Sequence, residues 1–150
     1  MDPFSIVSLC ATLGIRAGSK VSLINPPPGF MQRLNPLPAG VEFLVTGATG
    51  GLDVILFFTT DAKELVARLP ALTRAMAPKG GIWVCYPVGG DRPTGIDEEF
   101  IRHAALDIGL VDDKRAHLDA LWSGLRLVWK LRPRPEKPER RKTASQPATA

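Results

Sequence analysis

Apolar residues along this chain fall into short blocks of two kinds, and their order predicts the architecture before any single motif is considered. Residues 21–24, 41–46, 54–58 and 82–86 are compact apolar runs, most of them closed by glycine, proline or asparagine, as strands are. The run 54–58 (Val-Ile-Leu-Phe-Phe) has no polar position. Both faces of such a strand must be covered, which is the demand of a parallel sheet lying under helices. Between these runs the spacing becomes helical. Phe4, Ile6, Val7, Leu9, Cys10 and Leu13 mark one face of a first helix that opens on Asp2-Pro3 and stops at Gly14. A short second helix is predicted over 29–34. Leu65, Leu69, Leu72 and Met76 define a third, opened by Asp61 and Glu64 in a capping-box pattern and stopped by Pro78 and Gly80-Gly81. Pro70 removes a backbone donor inside it and is expected to kink or split it. Residues 97–108 give a fourth helix with Phe100, Ile101, Ala104, Ala105 and Ile108 inward.

Two further runs, 111–118 and 125–131, suit an antiparallel pair at the sheet edge, with Trp122 and Ser123 in the turn between them. Strands alternating with helices predict the α/β class: a single doubly wound, mostly parallel sheet with helices on both faces and an antiparallel C-terminal strand pair.

Composition narrows this without naming a reaction. A chain of 150 residues, 45% hydrophobic and 23% charged, holds one core and excludes a fibrous repeat, a membrane bundle or a wholly disordered chain. The formal charge of +4 resides entirely in residues 131–150. There Arg132, Arg134, Lys137, Arg140, Arg141 and Lys142 outweigh Glu136 and Glu139, four prolines recur, and no large apolar side chain follows Leu131. The expected division is a domain at 1–131 and a disordered basic tail at 132–150. Such a tail can touch nucleic acid through counterion release, but a solubilising extension is the plainer expectation. Cys10 and Cys85 sit in apolar runs and are expected to be buried, reduced and inert. With no membrane-length apolar stretch and no leader pattern, a cytoplasmic location is expected.

Open α/β sheets bind ligands beyond the carboxyl ends of their parallel strands. The loops there, 25–30, 46–51, 59–61 and 87–91, supply the candidate ligand-binding residues Asn25, Phe30, Thr46, Gly47, Thr59, Asp61 and Asp91. No catalytic residue is assigned. His103 and His117 have no carboxylate or cysteine at ligand spacing, so no metal site is expected. Ser123 lacks the glycine two positions earlier that a nucleophile elbow requires. Trp83, Trp122 and Trp129 read as packing residues, and Asp61 as a helix cap at the pocket rim.

Several motifs resemble known families. Thr46-Gly47-Ala48-Thr49-Gly50-Gly51-Leu52 resembles the TGxxxGxG loop of short-chain dehydrogenases, but Asp53 replaces the last glycine, a strand follows where a helix must, and Tyr86 has no lysine four residues on. Asn25-Pro26-Pro27 resembles the [ND]PP[FYW] motif of amino-methyltransferases, with Pro28 in place of the aromatic. The wider chain is similar to the class I methyltransferases, and Ala77-Pro78-Lys79-Gly80-Gly81-Ile82-Trp83-Val84 resembles their LxPGG turn. Their GxGxG loop is replaced by Asn25-Pro26-Pro27-Pro28-Gly29, three successive positions without an N–H, and Thr46 stands where an acid would accept the ribose hydroxyls. The segments LGIRAGSKVSLINPPPGF, LPALTRAMAPKGGIWVCYP and GLVDDKRAHLDALWSGLRLVWK together resemble a family of small bacterial domains of unknown function. That resemblance implies a Rossmann-like fold and no activity. The expectation is a non-catalytic or accessory module that binds an unknown small molecule or protein, with no cofactor. A divergent transferase binding S-adenosylmethionine or a nucleotide is the alternative.

Overall fold

The computed structural model describes residues 8–44, 50–88 and 94–130. The Asp2-Pro3 helix start, Thr46, Gly47, Asp91 and the 132–150 tail lie outside the described residues. β1 (Lys20–Ile24), β2 (Glu42–Phe43), β3 (Leu52–Phe58), β4 (Met76–Pro87), β5 (Leu110–His117) and β6 (Trp122–Trp129) form one six-stranded sheet in the order β2-β1-β3-β4-β6-β5. The first four strands are mutually parallel, and β6 runs antiparallel to both β4 and β5. This is the expected α/β sheet with its antiparallel C-terminal pair. The second strand of the pair lies inside the sheet and the first forms its edge.

Alternation along the central strands divides the core into two layers. Ile55 and Phe57 of β3, with Ile82, Val84 and Tyr86 of β4, face α3 (Ala62–Ala75) and α4 (Glu98–Leu106). Val54, Leu56 and Phe58, with Trp83 and Cys85, face α1 (Leu9–Leu13) and α2 (Phe30–Arg33). From Ile55 to Phe58 no residue is more than 1% exposed. Burying each such side chain contributes about 1.5–3 kcal/mol, so β3 is the axis of the fold. Trp83 is anchored by more than packing, because its indole N–H donates to the Leu13 carbonyl at 3.0 Å and ties β4 to the end of α1.

Local signals set most of the helix ends. Ser8 caps α1 by accepting the Ala11 N–H at 3.0 Å, and Gly14 closes it in the left-handed region at φ 82°. Asp97 caps α4 through the Phe100 N–H at 2.8 Å, with Glu98 and Glu99 in the first turn, where the helix dipole favours acids. On the sheet side, Arg102 links Glu98 of its own helix to Asp112 of β5, at 2.8 and 3.2 Å.

Four details depart from the pattern-based reading. Among the described residues of the 41–46 run, β2 is Glu42–Phe43, paired with Lys20 and Val21, so it flanks the start of β1. α3 runs unbroken across Pro70. The carbonyl deprived of a donor belongs to Val66, on the exposed face, where water can take its place. The stop signals after α3 lie inside a strand: Met76 leaves the helix and begins β4, which passes through Pro78, Gly80 and Gly81. Leu52 pairs with Met76 and Val54 with Gly81, so two steps along β3 span five along β4, and the excess forms an irregular bulge. Finally, Trp122 and Ser123 belong to β6 rather than to the turn.

The bulge holds the two strands unusually close at Gly80, where a Cβ would stand 2.6 Å from the Leu52 carbonyl oxygen and 3.0 Å from that of Asp53. Neither backbone oxygen can move without opening the central ladder. Gly80→Ala is expected to lower stability by about 1–3 kcal/mol, read as a lower urea midpoint with an unchanged slope; a midpoint equal to wild type would contradict the close approach.

Candidate functional site

The chain leaves β1 to build β2 on one side and returns to build β3 and β4 on the other, so the sheet reverses its winding between β1 and β3. Ligand crevices of open α/β sheets lie at such reversals. Asn25 follows the last residue of β1, Thr59 follows the last residue of β3, and α3 starts three residues later. Asn25 adopts φ 56°, a left-handed conformation that asparagine tolerates better than most residues. Pro26, Pro27 and Pro28 have no N–H, and the Phe30 N–H is engaged by the Pro27 carbonyl at 3.1 Å. The segment that follows β1 therefore meets the crevice mainly through one side-chain amide.

That amide is engaged across the crevice. Asn25 Nδ2 donates to the Phe58 carbonyl at 3.4 Å and to Glu64 Oε2 at 3.3 Å. The Thr59 hydroxyl donates to Glu64 Oε1 at 2.8 Å and accepts the Asp61 N–H at 3.1 Å, while the Thr59 N–H is held by the Cys85 carbonyl at 3.0 Å. Arg68 stands 3.8 Å from Glu64 Oε2, one helical turn on. A single carboxylate thus joins the ends of β1 and β3 to the first turn of α3.

Three of the sequence-derived candidates, Asn25, Thr59 and Asp61, are brought together here. Asp61 caps α3 through the Lys63 N–H at 2.9 Å. The capping box is incomplete, because Thr59 takes the Asp61 N–H and Glu64 turns to the strand ends instead of reaching back. Phe30 is elsewhere in role: at 1% exposure its ring packs edge-on against Phe58 at 4.8 Å, and Phe58 in turn meets Trp122 at 5.3 Å. Arg33 covers that cluster, with its guanidinium 5.7 Å from the Phe30 ring centre and 3.2 Å from Asp119, and also bonds the Leu118 carbonyl. Thr46, Gly47 and Asp91 lie outside the described residues. Glu64 is the member that sequence reading assigned only to a cap; its spacing from Asp61 was the available signal, and nothing in that spacing tells which way the carboxylate turns.

Other reactive groups are placed for structure. Cys10 and Cys85 are both buried and unpaired in a disulfide, and burial pushes both thiols above their ordinary value. Tyr86, 6% exposed, is raised first by burial and then by the Glu98 carboxylate, so its phenol stays a neutral donor. His117 Nδ1 lies 2.9 Å from Ser123 Oγ, but Ser123 lies within strand β6, in the last pair of the β5–β6 ladder and paired with Tyr86 of β4, and no strand-to-helix turn presents it as a nucleophile. Among the described residues no group of three or more His, Cys, Asp or Glu is arranged to hold a metal ion.

Two measurements check this description. A double-mutant cycle on Thr59→Val and Glu64→Ala should give a coupling energy of about 1 kcal/mol, whereas additive effects would mean that the pair does not interact. Because the native thiols hold their protons where unfolded thiols release them, stability should fall as pH rises through the ordinary thiol value of 9.0. Replacing Cys85 with alanine should flatten that decline in denaturant titrations repeated at several pH values.

Comparison with solved structures finds the same fold in methyltransferases. The chain aligns over 92% of its length with 95% of the "putative type 11 methyltransferase" from Sulfolobus solfataricus, at 15% identity and a TM-score of 0.60. It aligns over 77% of its length with 84% of a SAM-dependent methyltransferase from Aquifex aeolicus, at 13% identity and a TM-score of 0.56. Against the mitomycin 7-O-methyltransferase MmcR the values are 75% of this chain, 49% of that one, 14% identity and 0.57, so the chain spans about half of that enzyme's length. At these identities the likeness establishes an α/β Rossmann-like methyltransferase fold. No curated protein matches the sequence significantly. A family match covers residues 39–131, from the residues before β2 to the end of β6, and by it the chain belongs to the family described as protein of unknown function (DUF3052).

Proposed function

We propose that this protein is an accessory binding module on a methyltransferase-like fold, and that it does not transfer a methyl group itself. The observation that carries the reading is the bridge across the winding reversal. The Asn25 amide N–H groups and the Thr59 hydroxyl donate to the Glu64 carboxylate, and the Asn25 amide also reaches the Phe58 carbonyl. A cofactor entering between β1 and β3 must displace these bonds, and the proline run beside them offers no amide donors in return. The ligand of such a module is a small polar molecule, or a peptide of a protein partner, that competes for Glu64 and Asn25 at the rim. The same reading puts the module in the cytoplasm, with residues 132–150 as a basic solubilising extension.

A second reading, a divergent transferase that binds S-adenosylmethionine or a nucleotide, is favoured by the near end-to-end alignment with the Sulfolobus solfataricus protein. Isothermal titration of the full chain with S-adenosylmethionine and with its demethylated product separates the two. The binding-module reading expects no saturable heat from either compound. A specific micromolar Kd for either one, abolished by Asn25→Ala, would overturn it in favour of the transferase.

A further inference from the structure

The opposite end of the sheet holds a cavity of about 480 Å³, between the end of α1 and the exposed part of the β4–β6–β5 surface. Its size falls within the roughly 300–1,000 Å³ of small-molecule sites. Four cations line it, Arg16, Lys79, Lys114 and Arg126, against one carboxylate, Asp53. Asp53 is already engaged by the Lys20 N–H at 2.9 Å.

Irregularities in the ladder bring two of the cations there. Lys79 lies within the β4 excess opposite Leu52 and Val54. On β5, Asp112 pairs with Leu127 and Lys114 with Arg126, so Asp113 is an extra residue and Lys114 shares the cavity face with Arg126. Bulges re-aim side chains in this way. The result sets two like charges directly opposite each other, which is unfavourable in an empty ladder.

Arg126 is fixed in place. Its side chain is 19% exposed and ion-paired with Asp113 at 2.8 Å, and it lies over β4 at Gly81, where a Cβ would stand 2.5 Å from its Nε. Among the described residues no carboxylate lies within ion-pair distance of Arg16, Lys79 or Lys114. The cavity therefore has an excess of positive charge after its internal pairs are counted. The extension at 132–150 is itself net positive.

We infer that this cavity binds a small molecule bearing a phosphate or diphosphate group. Its four cations offer charge-assisted hydrogen bonds to several oxygens at once, and the bound dianion offsets the opposition of Lys114 and Arg126. This site is at the far end of the strands from the Asn25 crevice and does not depend on how that crevice is used.

Inorganic pyrophosphate titrated calorimetrically into the full chain tests the assignment. Saturable one-to-one binding is expected, weakening as sodium chloride is raised. Lys79→Ala and Lys114→Ala should each weaken it by about tenfold, while Asn25→Ala and the tail variant Arg140→Ala/Arg141→Ala keep the wild-type Kd. Both lysines are exposed, so the variants should fold; pyrophosphate should raise the Tm of wild type and leave that of Lys79→Ala/Lys114→Ala unchanged. Absence of saturable binding, undiminished binding to the double lysine variant, or loss in the tail variant would each overturn the inference.

Discussion

The fold depends on β3 being buried from both sides. A strand with apolar side chains on both faces cannot lie at a surface, and a parallel neighbour on each side satisfies its backbone while helices cover its faces. β1 and β4 supply the neighbours. α1 and α2 cover one face, α3 and α4 the other. The positions of Asn25 and Thr59 follow from this, since each lies where the chain must leave a central strand. The polar groups of the crevice are thus placed by the burial of residues that carry no chemistry.

The two ends of the sheet differ in electrostatic design. At the carboxyl end, opposite and neutral groups neutralise one another through Glu64, leaving a compact bonded junction. At the amino end, cations outnumber acids around open space. Likeness to methyltransferases speaks to the path of the backbone, and fold alone does not transfer a reaction.

Much of the architecture was legible because its causes are local or periodic. The apolar block 54–58, the stop at Gly14 and the Asp97 cap each express a constraint that their own neighbourhood enforces. Tertiary pairing overrode local preference elsewhere. Pro78 and Gly80-Gly81 look like punctuation in sequence, yet β4 runs through them, pairing Gly81 with Val54 and carrying the residues before it in a bulge. The apolar run at 41–46 looks like a full strand, yet among its described residues only Glu42 and Phe43 are in register with β1 as a strand. At the candidate site, Asn25, Thr59 and Asp61 were legible from their positions at strand ends. Glu64 was not, because spacing along a helix says where a carboxylate starts and leaves open which neighbour it turns to. The amino-end cavity was invisible for a similar reason: register shifts assemble Lys79 and Lys114, and register is a property of paired strands.

The outer strand β5 carries four consecutive charged residues, Asp112, Asp113, Lys114 and Arg115, at its centre, together with the extra residue that breaks its regular pleat. An open sheet ordinarily invites further strands to add along its free border. Here a joining strand would meet desolvated charge and a backbone out of phase with its own. The sheet ends itself at β5, and that border disfavours the addition of a further strand.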